Sequence, residues 1–168
     1  MLRGTSKLLD RLGVRRAPAE EVSTTALGDW YANLVRVGPT QFVLCTSERS
    51  LLSVVLPARD VKRDLVRNLT AAVASLLADI GVPPDSVVAE MGEMSDYKVG
   101  PTASRGVLGH MLDFAVHLDA AFRMDPSMSL HRLSSELSQI PCGPVNYTFP
   151  AEQAKALLAE PRGRRTRG

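Results

Sequence analysis

The apolar rhythm of the chain changes once, near residue 58, and that change constrains the fold more than any motif does. Before it, "WYANLVRV" (30–37), "QFVLCT" (41–46) and "LLSVVLP" (51–57) are rich in β-branched and aromatic residues and are separated by "GPT" and "SERS". Three short strands with tight links predict an antiparallel meander. After it, residues 60–80 place Val61, Leu65, Leu69, Val73, Leu76, Leu77 and Ile80 at helical spacing, with Gly81 and Pro83 as a stop. Residues 83–94 predict a shorter helix and "DYKV" (96–99) a fourth strand. The best-defined helix covers 103–123, with Val107, Leu108, Met111, Leu112, Ala115, Leu118 and Phe122 on its core side. Weaker helical patterns cover 129–140 and 151–160, and a short helix covers 5–12, capped by Thr5 or Ser6 and ended by Gly13. Strands first and helices afterwards predict an α+β fold, an antiparallel meander sheet packed by helices on one face.

At 168 residues, a single domain over 1–160 is long enough to bury a core. No run approaches the roughly 20 apolar residues that span a bilayer, and the first residues lack a signal-peptide pattern, so a cytoplasmic protein with no membrane contact is expected. Cys45 and Cys142 form no CxxC pair and predict reduced thiols. The net charge of +2 is uneven. Residues 1–16 hold five basic side chains against Asp10, and the tail holds Arg162, Arg164, Arg165 and Arg167 with no acid, which leaves −6 for residues 17–161. A dedicated nucleic-acid domain more often carries its basic face in the body. Residues 161–168 are expected to form a disordered basic tail.

The stretch "KVGPTASRGVLGHMLDF" (98–114) carries the candidate chemistry. At the helix start, Thr102 and Ser104 supply hydroxyls and Arg105 a planar cationic fork, beside backbone N–H groups that have no partner inside the helix. That combination suits an anion. The stretch "RGTSKLL" repeats it with Thr5, Ser6 and Lys7. Gly106, Gly109, His110, Asp113 and His117 fall on the helix face opposite the core, as a solvated face, a packing face or the wall of a cleft. His110 and His117 are about 10.5 Å apart along the axis, too far to share one metal ion, so no metal is expected. Asp113 with His117 or His110 can form a general base. Trp30 and Asn33 either line a pocket or, for Trp30, anchor the core. No P-loop, dinucleotide fingerprint, nucleophile elbow or HExxH is present, and no cofactor is expected.

The order "RGTSKLL", "LGDWYANL", "FVLCTSERSLLSVVLPA", "PTASRGVLGHMLDF" and "IPCGP" resembles an uncharacterised bacterial family, a domain of unknown function. The family pattern carries T-x-K, GDWYANL and T-x-x-R-S-V-L-G-S-M-N-D. Thr102, Arg105, Val107, Leu108, Gly109, Met111 and Asp113 match the last of these, whereas Gly106 and His110 replace serines and Leu112 an asparagine. The resemblance implies no reaction. It points to Thr5, Lys7, Trp30, Asn33, Thr102, Arg105 and Asp113, the polar positions already singled out.

Three functional classes stay open at this point. One is a module that binds a small anion, a nucleotide or a nucleic-acid backbone at residues 102–105. A second is a metal-independent hydrolase or nuclease that uses Asp113 with a histidine. The third is a protein-interaction module or homodimer, from a mobile-element or defence locus, with the glycine-bearing helix face as its interface.

Overall fold

A computed structural model of the chain describes residues 1–13, 23–146 and 148–160, with Asp60 described by its backbone alone. The expected basic tail lies outside these residues. Five strands form one sheet in the order β4-β3-β2-β1-β5: β1 Leu2–Gly4, β2 Trp30–Val37, β3 Thr40–Ser47, β4 Ser53–Pro57 and β5 Val99–Pro101. The helices are α1 Ser6–Leu12, α2 Val61–Asp79, α3 Pro84–Met94, α4 Arg105–Met124, α5 Leu130–Leu137 and α6 Pro150–Ala159. None of the described helices is long and apolar enough to cross a membrane.

The hairpins follow from local chemistry. Val37 pairs with Thr40 across a turn in which Gly38 takes a φ of +56°, a conformation open to glycine at little steric cost. The next turn forces Leu51 to a φ of +58°. Serines hold it there: the Ser47 hydroxyl accepts from the Ser50 N–H at 3.2 Å, and the Ser50 hydroxyl from the Leu52 N–H at 3.1 Å. Leu51 thereby reaches the core.

Four expectations are overturned. The sheet is mixed, not a pure antiparallel meander. β2, β3 and β4 form the expected meander, but β1 runs parallel to both β2 and β5. A three-residue strand is too short to show alternation, and its parallel pairing to β2 needs the crossover through α1. The fourth strand also lies at 99–101 instead of 96–99.

Nor are the helices confined to one face. Trp30, Ala32, Val43, Cys45, Val54 and Leu56 pack one core with Leu8 of α1, the apolar row of α2 and Ala154 and Leu158 of α6. Their strand neighbours Tyr31, Val35, Phe42, Leu44 and Val55 pack a second core with Val107, Met111, Phe114 and Leu118 of α4 and Leu133 and Leu137 of α5. Successive strand side chains point to opposite faces, so the near-continuous apolar runs "FVLC" and "VVL" bury both. Leu112, expected on the core side of α4, is exposed instead.

Phe114 tests the second core. Phe114→Ala is expected to destabilise the fold by about 3–5 kcal/mol in denaturant unfolding, as a large-to-small change in a packed interior does. A loss below about 1 kcal/mol, the range of a surface substitution, would place α4 outside the core.

Candidate functional site

The parallel pairing builds the candidate site. Gly4 pairs with Ala32 on one side and Pro101 on the other, so Thr5 and Thr102, just past the ends of β1 and β5, lie level with Asn33 within β2. From there β1 enters α1, which packs on the first core, and β5 enters α4, which packs on the second. Adjacent parallel strands thus feed helices on opposite faces, the topology at which open α/β sheets gather ligands.

At this corner the Thr5 Oγ1 hydroxyl donates to Asn33 Oδ1 at 3.0 Å, and the Thr5 N–H donates to the Ala32 carbonyl at 3.1 Å. The Ser104 hydroxyl caps α4, accepting from the Val107 N–H at 3.3 Å. Thr5, at the start of α1, gives no such side-chain cap. Thr102 is half-buried, while Lys7 and Arg105 are exposed. Neither cation makes a hydrogen bond or ion pair among the described residues. Trp30 does not join them: its side chain is fully buried in the first core, and Nε1 has no hydrogen-bond partner among the described residues.

A charged cluster that the sequence did not reveal lies beneath the corner. Arg3, buried on β1, binds Asp29 through Nε, and its Nη1 donates to the Pro101 carbonyl at 3.3 Å. The Met1 amino group reaches the other Asp29 oxygen at 3.0 Å. Tyr31 sits against this cluster and Glu48; burial and then the Glu48 charge push its phenol above the ordinary value, while Arg3 opposes them. An arginine and an aspartate 26 residues apart carry no sequence signal of pairing.

The remaining candidates line a different place. His110, Asp113 and His117 on α4 face Pro141, Cys142 and Gly143 across a cleft of about 350 Å³. His110 Nδ1 lies 4.0 Å from Asp113 Oδ2, and among the described residues no hydrogen bond or ion pair joins Asp113 to His117. The buried Cys142 thiol contacts the Ile140 carbonyl at 3.3 Å; burial, then the Asp113 charge, raises its pKa. Both effects favour the neutral thiol over the reactive thiolate. Among the described residues, no three of His, Cys, Asp and Glu are placed to share a metal ion.

The family model for a domain of unknown function named DUF6933 matches residues 1–153, from β1 through the start of α6. The chain belongs to the DUF6933 family. No curated protein matches it, and no solved structure does. Both helix starts, the buried Arg3–Asp29 pair and the cleft at Cys142 all lie within the span that defines DUF6933.

Two substitutions test this description. Asp29→Ala leaves a buried guanidinium without its carboxylate and is expected to cost about 3–5 kcal/mol in denaturant unfolding. Among the described residues, Gly109 has open space where a Cβ would be, so none of them requires a glycine there. Gly109→Ala is therefore expected to stabilise the isolated chain by about 1 kcal/mol, read as a higher Tm. A lower Tm would mean that a close neighbour fills that space.

Proposed function

We propose that this domain binds an anionic ligand, a phosphate, a nucleotide or a nucleic-acid backbone, at the corner formed by Thr5, Asn33 and Thr102. One observation carries the reading: Gly4 pairs with Pro101, so the strand ends that lead into α1 through Thr5 and into α4 through Thr102 and Ser104 are neighbours. Each start presents backbone N–H groups and the positive end of a helix dipole. Each also carries a cation, Lys7 or Arg105, that makes no hydrogen bond or ion pair among the described residues. Asp29, a competing partner for Arg105, is engaged with Arg3 and the Met1 amino group. A planar guanidinium beside hydroxyls and backbone donors favours bidentate contact with phosphate or carboxylate oxygens.

The test is a thermal-shift titration of the parent and of Arg105→Lys with phosphate, nucleotides and short oligonucleotides. At about a hundredfold excess over Kd, a bound anion stabilises by about 2.7 kcal/mol, so Tm should rise. Arg105→Lys keeps the charge and loses the fork; it should leave the unliganded Tm unchanged and weaken the response. If no anion at millimolar concentration raises the parent's Tm, the reading falls.

The cleft lined by His110, Asp113, His117 and Cys142 favours a second reading, metal-independent hydrolysis with Asp113 and His110 as the acid–base pair. Turnover of a phosphodiester or ester in the presence of a chelator, lost in Asp113→Asn, would support it. Equal rates in the parent and that variant would remove it.

A further inference from the structure

The outward face of α4 carries a row of apolar side chains with nothing over them among the described residues. Leu112, Val116 and Met124 are 63%, 70% and 88% exposed, and Ala120, also exposed, continues the row between the last two. Spacing by four keeps neighbours in this row on one slowly drifting face. The row runs into an apolar groove of about 600 Å³ between α4 and α5, lined in part by Ala121, Met124, Met128, Leu133 and Ile140. A continuous exposed apolar row beside an apolar groove is the kind of surface on which proteins associate.

We propose that this face is where two copies of the chain associate, α4 against α4, antiparallel about a two-fold axis. The side chains of α4 are self-complementary about Leu118. Leu112 and Met124 lie six residues to either side of it, Asp113 and Arg123 five, and Val116 and Ala120 two. Leu118 itself is fully buried, so the axis passes through the opposite, outward side at the same level, between Val116 and Ala120. In an isologous contact each position meets the position equally far beyond the axis. Leu112 then comes level with Met124 of the second copy, Val116 with Ala120, and Asp113 with Arg123. Arg123 already holds Asp119 of its own helix at 2.7 Å, so it bridges that carboxylate and the Asp113 carboxylate of the second copy. A parallel arrangement would instead set Asp113 against Asp113 and Arg123 against Arg123, a like-charge cost. A foreign partner requires no such symmetry in the sequence. The residues 161–168, four arginines with no large apolar side chain, do not supply an apolar cover. The anion corner takes no part, since Arg105 lies about 20 Å along the helix from this axis.

Sedimentation of the full chain over a range of micromolar concentrations tests the proposal. The parent should form dimers. Asp113→Arg or Arg123→Asp alone should weaken association by about tenfold or more, because each sets like charges level across the axis. An equimolar mixture of these two variants should regain the dimer, since each chain then offers the charge that the other lost. Val116→Glu, next to the axis, should give a monomer and serves if either charge variant fails to fold, as judged by circular dichroism. A parent that sediments as a monomer at high micromolar concentration overturns the proposal. So does a dimer that none of these variants weakens, which would place the interface on another face or under another partner.

Discussion

Leu2–Gly4 hydrogen-bonds to strands on both sides, and the geometry of the rest of the molecule depends on that three-residue pairing. β1 is also the strand that carries a buried charge. An arginine removed from water is tolerated only when its donors are satisfied. Arg3 meets that condition with Asp29, just before β2, and with the carbonyl of Pro101, at the end of β5. One side chain therefore ties together the three parallel strands that bring both helix starts to one corner. Such a pair contributes little net stability against an apolar alternative, but breaking it is costly, so it acts on geometry more than on total stability.

A sheet covered on both faces changes what α4 can do. Its inward row of Val107, Met111, Phe114 and Leu118 is committed to the second core. Twenty residues of helix nonetheless present far more surface than that row uses. The N-terminal end is polar and cationic, the middle carries His110 and Asp113 over a small cleft, and the outward side carries Leu112, Val116 and Met124. These three surfaces share a helix but not a ligand chemistry. Among the described residues, nothing of the same chain lies within 4 Å of where a Gly109 Cβ would be.

A second buried carboxylate repeats the logic of Arg3 and Asp29. Glu90 of α3 accepts the backbone N–H groups of Ala26 and Leu27 at 2.9 Å each. The Thr25 hydroxyl meets the Gly28 carbonyl at 2.7 Å, and the Tyr97 hydroxyl reaches the same carbonyl at 2.9 Å. Glu90 and Tyr97, both distant along the chain, thus satisfy the Ala26 and Leu27 N–H groups and the Gly28 carbonyl of this loop. That loop delivers Asp29 to Arg3, so the placement of the sheet's central charge pair depends on a helix more than sixty residues further along the chain.

The sequence by itself determined which segments are strands and which are helices, because periodicity, caps and glycine or proline stops are local properties. The meander of β2, β3 and β4, the helices α1 to α6 and the hydroxyl-bearing cap positions of α1 and α4 were legible in this way. The apolar runs "FVLC" and "VVL" also held the signal for burial on both faces, although the order of elements suggested a sheet with one covered face. Tertiary structure alone decided the rest. Strand β1 is too short for any pattern, and its parallel partners lie up to about a hundred residues away. Whether Leu112 points to the core or to water depends on which way α4 rolls against the sheet, not on its spacing. The pairing of Arg3 with Asp29 and the meeting of Thr5, Asn33 and Thr102 at one corner join distant residues, and only the assembled sheet puts them side by side.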